Sequence, residues 1–90
     1  MRKHKIVWTK RVTEFFEEAA NLTPLEKEFL ETRIAGMTRK EQAAYFNVGE
    51  RTVYRIIDGL LQKYDAVQAE YPNELKPRFV SEEERYLDDN

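Results

Sequence analysis

Helix start and stop signals constrain the fold of this chain more than any other feature of its sequence. Thr23 and Thr38 each stand three residues before a glutamate, which is the spacing of a capping box. Pro24 suits the first position of a helix. Gly36 lies where a helix C-terminal glycine is expected. Asn47 is an asparagine, the non-glycine residue that most readily adopts the left-handed conformation. These signals delimit two short helices that follow each other closely.

Hydrophobic periodicity extends this pattern to four helices. Apolar residues recur at three- and four-residue intervals, the spacing of an amphipathic helix. The sequence predicts helices at about 9–20, 24–35, 39–46 and 50–66. Three glycines, three prolines and 36% charged residues in a chain of 90 residues also favour helix. We therefore predict an all-α fold, a small domain of about four helices that contains a helix-turn-helix.

The charge distribution predicts a body and a tail. Residues 1–66 hold twelve Lys/Arg and ten Asp/Glu, and residues 67–90 hold three and seven, so charges of +2 and −4 make the formal net charge of −2. We predict a helical domain over residues 1–66. Residues 67–90 are predicted to form an acidic C-terminal tail, partly flexible or with a short helix. Continuation of the last helix over residues 65–70 is left open.

Residue types that catalysis and metal binding need are scarce. The chain has no cysteine and one histidine, His4, which argues against a disulfide, a thiolate nucleophile, a cysteine-based zinc site and a Ser-His-Asp triad. We interpret the acidic run Glu82 to Glu84 as surface charge. The sequence predicts no enzyme, no catalytic residue, no metal and no cofactor.

Apolar segments are too short for a membrane span. No apolar run approaches the roughly 20 residues that a transmembrane helix needs, and no signal peptide is visible. We expect a cytoplasmic protein without a membrane partner.

Residues 38–64 meet four requirements of a helix-turn-helix. The first helix needs a small residue where the second helix crosses it. The turn needs a residue that tolerates a positive φ, and an apolar residue must fill the core just after the turn. The second helix needs inward residues at three-residue spacing. The residues that meet these requirements are Ala43 or Ala44, Asn47, Val48, Val53 and Ile56.

Three segments carry a family resemblance: LTPLEKEFL at residues 22–30, AGMTRKEQAA at residues 35–44 and VGERTV at residues 48–53. They resemble the C-terminal helix-turn-helix of bacterial sigma factors, region 4, and are similar to the DNA-binding domain of LuxR-type response regulators. The resemblance covers about residues 22–64. Residues 67–90 match neither family, and the chain has no room for sigma region 2. The resemblance therefore implies a short accessory or phage-type regulator.

The chain departs from the family pattern at three positions. Gln42 replaces an apolar residue, Asn47 replaces the turn glycine, and Gly49 replaces the capping serine. None of these changes forbids the fold. We expect Gln42 to loosen the packing of the first helix of the pair, and Gly49 to leave the second helix without a side-chain cap.

The resemblance implies that the helix at about 50–64 enters the major groove of DNA. Arginine pairs with guanine, and threonine contacts a thymine methyl or a phosphate. The base-reading candidates are Arg51, Thr52, Arg55 and Tyr54, and the phosphate-contacting candidates are Thr38, Arg39, Lys40 and Lys63. For Tyr54, a phosphate contact and partial packing against the preceding helix are the alternatives.

The leading hypothesis is a sequence-specific DNA-binding transcription regulator with double-stranded DNA as its partner. One alternative is a protein-interaction module that binds RNA polymerase or a sigma factor, with the acidic tail as one contact. A second is the DNA-recognition subunit of a phage small terminase. A homodimer is left open, with Tyr64, Val67 and Tyr71 as candidate interface residues. The aromatic stripe Trp8, Phe15 and Phe16 is predicted to be core rather than a partner-binding surface.

Overall fold

The computed structural model describes residues 2–3 and 6–80 and confirms the all-α prediction. The helices are α1 (Lys10–Ala19), α2 (Pro24–Ile34), α3 (Arg39–Phe46) and α4 (Glu50–Glu70). One pair of two-residue strands, β1 (Arg2–Lys3) and β2 (Phe79–Val80), is antiparallel and joins the N-terminal segment to the chain after α4. In the part of the chain that the structure describes, no helix has the length and apolarity to cross a membrane.

The helices begin where the capping signals predicted. The side-chain oxygen of Thr23 accepts a hydrogen bond from the amide of Glu26, whose carboxylate accepts one from the Thr23 amide in return. Thr38 and Glu41 form the same reciprocal pair at the start of α3. Gly49 precedes α4 without a side-chain cap, as expected. Local sequence thus determines these helix starts.

Three helices end in a residue with positive φ. These residues are Asn21 after α1 (52°), Gly36 after α2 (104°) and Asn47 after α3 (54°). After each, the next amide donates to the carbonyl five residues back, at 3.0 to 3.1 Å, as in a Schellman motif. The roles predicted for Gly36 and Asn47 are confirmed, and Asn21 is a third stop that the sequence analysis did not identify.

The core draws on all the elements around α4. Phe16 from α1, Phe29 from α2 and Val53 from α4 are at most 1% exposed. Trp8 packs against Phe16 and Tyr64 with ring centroids 5.7 Å apart in each pair. The aromatic stripe Trp8, Phe15 and Phe16 therefore packs in or against the core, as predicted. The buried hydrophobic residues are Phe16, Leu22, Phe29, Leu30, Val53, Leu60, Tyr64, Val67 and Leu75.

The chain after residue 66 contributes to this core. Helix α4 continues four residues beyond its predicted end, and Leu75, which follows it, is 2% exposed. The Tyr64 hydroxyl donates to the carbonyl of Lys76 at 2.6 Å, and Arg78 donates to both carboxylate oxygens of Asp65 at 2.9 and 2.6 Å. The predicted boundary after residue 66 thus falls inside α4. The remainder of the predicted tail, residues 81–90, lies outside the described residues.

Several residues do not lie where periodicity alone placed them. Tyr64 and Val67 are buried within the chain, so they are unavailable as a dimer surface, whereas Tyr71 is 42% exposed. Val48 is 36% exposed and does not fill the core after the turn. The apolar contact at the turn comes instead from Phe46, the last residue of α3, whose ring stacks on Phe29 with a centroid separation of 4.0 Å. Leu25 and Ile34 fit the helical spacing of the apolar residues in α2, yet both are exposed.

Gln42 is fully buried yet has hydrogen-bond partners for both ends of its amide. Its Nε2 donates to the Phe29 carbonyl and to Thr32 Oγ1, each at 3.0 Å. Its Oε1 accepts from Arg33 Nη1 at 3.3 Å. The expectation that Gln42 loosens the packing of α3 is therefore wrong, since the amide links α3 to α2 by three hydrogen bonds.

Truncation of this amide is expected to be costly. Gln42→Ala removes all three hydrogen bonds and leaves a cavity, so we expect the free energy of unfolding to fall by about 2–3 kcal/mol. Gln62→Ala is the matched control, because Gln62 is exposed and its one side-chain hydrogen bond among the described residues goes to Asp58 on the same helix. Urea denaturation of the two variants measures the difference, and equal losses would contradict the buried role of Gln42.

A carboxyl pair lies between α1 and α2. Burial, followed by the adjacent Glu31 carboxyl, raises the pKa of Glu17 from 4.5 to about 7, against the opposing effect of Lys27. Glu17 Oε2 is buried without a hydrogen-bond donor among the described residues. Glu17 is therefore protonated in the folded protein at a pH where the unfolded chain has lost this proton.

Stability is expected to decrease as the pH rises from about 5 to 8. The folded chain retains the Glu17 proton up to about pH 7, whereas the unfolded chain loses it near pH 4.5. The stabilisation that this proton provides is therefore complete below about pH 4.5 and is lost as the pH rises through about 7. The hydrogen bond from Lys63, followed by those of the capping box, lowers the pKa of Glu26. The capping-box hydrogen bonds lower the pKa of Glu41, and both effects are lost in acid. Maximum stability should therefore lie near about pH 5.

Denaturation midpoints measured across this pH range test the assignment to Glu17. Glu17→Gln is expected to abolish the decrease between about pH 5 and 8, because the neutral amide cannot titrate. Glu18→Gln changes an exposed neighbour by the same chemistry and should retain it. A decrease that persists in full in Glu17→Gln would mean that another group is responsible.

Candidate nucleic-acid interface

A three-residue turn, residues 47–49, joins α3 to α4 and places their first turns on one side of the molecule. Val53, on the inner face of α4, is completely buried, and Ala43 of α3 packs against the core. Because residues four apart share a helix face, this arrangement leaves Arg51 and Arg55 together on the outer face. Both are exposed. The predicted inward position of Val53 is confirmed.

The base-reading candidates occupy the first two turns of α4. Arg51, Tyr54 and Arg55 are exposed, and Thr52 is half-buried. The α-carbons of Arg51 and Arg55 are separated by one helical turn, a rise of about 6 Å. The four candidates thus lie close together, although Tyr54 is engaged by a residue of α3.

The phosphate-contacting candidates are not all together. Thr38, Arg39 and Lys40 lie at the start of α3, where Thr38 is the N-cap. Lys63 lies about 18 Å further along α4 than Arg51, and its Nζ is 2.6 Å from Glu26 Oε2. This ion pair commits Lys63 to the junction between α4 and α2. The geometry therefore sets Lys63 apart from the other seven candidates.

Four cations of this region lack a carboxylate partner among the described residues. They are Arg39, Lys40, Arg51 and Arg55. Elsewhere Arg11, Lys63 and Arg78 each form an ion pair. Several other cations also have no such partner among the described residues, so what distinguishes these four is their grouping at the starts of two adjacent helices. Three of the four occupy electrostatically unfavourable positions at a helix N-terminus. Arg39 and Lys40 are the first two residues of α3, and Arg51 is the second residue of α4. The positive end of a helix dipole repels cations and attracts anions.

A stacked pair connects the two helices at this surface. The guanidinium carbon of Arg39 lies 3.7 Å from the centroid of the Tyr54 ring. Arg39 Nε is buried and has no hydrogen-bond acceptor among the described residues. Tyr54 nevertheless remains 54% exposed. Its predicted alternative, packing against the preceding helix, is thus the contact that the structure shows.

A shallow depression lies beside this pair. Its lining includes Thr38, Arg39 and Lys40 from the start of α3 and Glu50 from the start of α4. Arg33 from α2 also lines it, and this guanidinium donates to Gln42 and, at 3.5 Å, to the carbonyl of Met37. Cationic side chains from two helices therefore surround one concave surface.

Two features of this site escaped the sequence analysis. The stack between Arg39 and Tyr54 joins residues 15 positions apart, a separation that no helical or strand period relates. The hydrogen bonds of Gln42 hold the start of α3 against α2. The only sequence signal for the latter was a polar residue at a position where the family pattern has an apolar one.

Comparison with family models, with curated proteins and with solved structures found no match for this chain.

Proposed function

We propose that this protein is a sequence-specific DNA-binding transcription regulator that inserts the first turns of α4 into the major groove. The observation that carries this proposal is the grouping of four cations on the first turn of α3 and the first two turns of α4, with no carboxylate partner in the part of the chain that the structure describes. Cations placed at the positive ends of two helices repel each other and the helix dipoles. A polyanion at this surface relieves that repulsion.

The dimensions of α4 suit this role. A helix with its side chains is about 10–12 Å wide, and the major groove of B-DNA is about 12 Å wide. The rise of about 6 Å between Arg51 and Arg55 corresponds to nearly two base-pair steps. Each guanidinium then donates to the O6 and N7 atoms of a guanine, and Thr52 contacts a neighbouring base or phosphate.

Helix α3 supplies the backbone contacts in this proposal. Thr38, Arg39 and Lys40 lie at its start, where amide groups and cations together attract a phosphate. Lys63 is excluded from the proposed contact set because of its ion pair with Glu26. The resemblance of residues 22–64 to sigma factor region 4 and LuxR-type domains supports the assignment to transcription.

The competing proposal, a protein-interaction module, draws on the opposite charge of α1 and α2. Their exposed carboxylates make an acidic surface to which a basic protein is attracted. These residues are Glu14, Glu18, Glu28 and Glu31. We favour DNA because this surface does not account for the unpaired cations on α3 and α4.

Titration of the protein against a pool of random-sequence duplexes, followed by fluorescence anisotropy at two salt concentrations, tests the proposal. We expect binding that weakens steeply as salt increases, since each phosphate contact releases counterions. Selection from the same pool then identifies a preferred sequence. Absence of binding to every duplex at low salt, together with salt-resistant capture of a purified RNA polymerase, would favour the protein-interaction module instead.

A further inference from the structure

We infer that Arg39 is a phosphate-contacting residue whose guanidinium is positioned by Tyr54, and that Tyr54 acts as this platform rather than as a base-reading residue. This inference rests on the proposed function and assigns a distinct role to two of its residues. The ligand chemistry that it implies is a phosphodiester oxygen at the start of α3.

The geometry of the stack favours this assignment. With the guanidinium carbon of Arg39 3.7 Å from the ring centroid, one face of the cation is covered by Tyr54. Its Nε is buried without an acceptor among the described residues. No carboxylate in the described part of the chain pairs with it, although Glu50 lines the same depression. The cation is therefore held by an aromatic ring and not neutralised.

Such an arrangement prepares an arginine for an anion. A free arginine loses the freedom of several rotatable bonds when it binds, whereas a stacked guanidinium has already lost part of it. The ring also leaves the charge of the guanidinium intact, unlike a carboxylate partner. The tyrosine engaged in this contact presents less of its own surface to DNA, which argues against a direct base contact by Tyr54.

A double-mutant cycle on the DNA affinity tests the inference. Tyr54→Leu is expected to weaken binding about 3- to 5-fold when Arg39 is present, the effect of losing a cation–π contact, and less than about 2-fold in an Arg39→Ala background, because the platform then supports nothing. Tyr54→Phe retains the ring and should rescue the affinity. Arg39→Ala should also lower the slope of log K against log salt by about 0.9, the effect of one lost phosphate contact.

Tyr45→Leu is the matched control, because Tyr45 is also an exposed tyrosine, 62% exposed on α3, with a ring contact to Phe46 but none to Arg39. Its DNA affinity should equal that of the wild type. In the free protein, an upfield shift of the Arg39 δ protons in NMR spectra should report the stack and disappear in Tyr54→Leu.

The outcomes separate this inference from the proposed function. A wild-type protein that binds no duplex would overturn both. DNA binding by the wild type with equal losses from Tyr54→Leu in the two backgrounds would overturn the inference alone, since Tyr54 would then act on DNA independently of Arg39. Unchanged affinity in Tyr54→Leu, or an unchanged salt slope in Arg39→Ala, would do the same.

Discussion

Replacement of Phe29 by alanine is expected to lower the free energy of unfolding by about 3–5 kcal/mol, the range for deletion of a large buried aromatic side chain. Phe29 is 1% exposed and its ring stacks on Phe46 at 4.0 Å. Its backbone carbonyl accepts the hydrogen bond from Gln42. Chains of 90 residues typically have a total stability of about 5–13 kcal/mol, so the loss is a large fraction of the total and the denaturation midpoint should fall markedly.

Thermal and urea denaturation followed by circular dichroism measure this effect. Leu25→Ala provides the control, because Leu25 is on the same helix but 51% exposed; we expect it to change stability by less than about 0.5 kcal/mol. A loss of less than about 1 kcal/mol in Phe29→Ala would show that α2 and α3 do not pack through this ring.

The double variant Arg51→Ala/Arg55→Ala is expected to have the largest effect on DNA binding. A guanidinium that pairs with a guanine contributes about 1–3 kcal/mol of discrimination, so the two together account for about 2–6 kcal/mol of affinity for the selected site. Both side chains are exposed and form no ion pair among the described residues. The far-ultraviolet circular dichroism spectrum should therefore be unchanged while the affinity falls about 30-fold or more.

Lys10→Ala/Lys76→Ala is the matched control for charge. Lys10 and Lys76 are exposed. They lie near the end of the molecule that contains Tyr64, which packs against Trp8 and donates to the Lys76 carbonyl. Tyr64 itself is about 20 Å along α4 from Arg51. The control should retain most of the affinity. An equal loss in both double variants would indicate attraction by net charge without a defined binding face.

The cations at the helix starts and the buried amide both depart from the rules that favour local stability. Arg39, Lys40 and Arg51 are placed against the helix dipoles, and Gln42 places a polar group in the core. Natural sequences depart from local stability rules mainly at functional or strained sites. In Gln42 the cost is offset by three hydrogen bonds within the chain. For the cations the compensation is partial: Arg39 stacks on an aromatic ring, and one glutamate lies in the first turn of each helix. In the proposed function, DNA phosphates supply the remainder.

Local sequence determined most of the secondary structure. The capping boxes at Thr23 and Thr38 and the left-handed residues Gly36 and Asn47 lie where the sequence predicted them. Each of these signals works through hydrogen bonds or backbone sterics within about five residues. They act before any tertiary contact forms, so a single sequence is enough to identify them. The same is true of the outward position of Arg51 and Arg55, which follows from helical period alone.

Tertiary packing decided the features that depend on residues distant in the chain. It buried Leu75 and Val67, which pack in the same core as Tyr64, and this packing accompanies the extension of α4 to Glu70. It placed Phe46, and not Val48, against Phe29. It also joined Arg39 to Tyr54 and Lys63 to Glu26. Periodicity identifies the face that a residue occupies, but the partner on that face depends on how the helices pack, which one helix by itself does not encode.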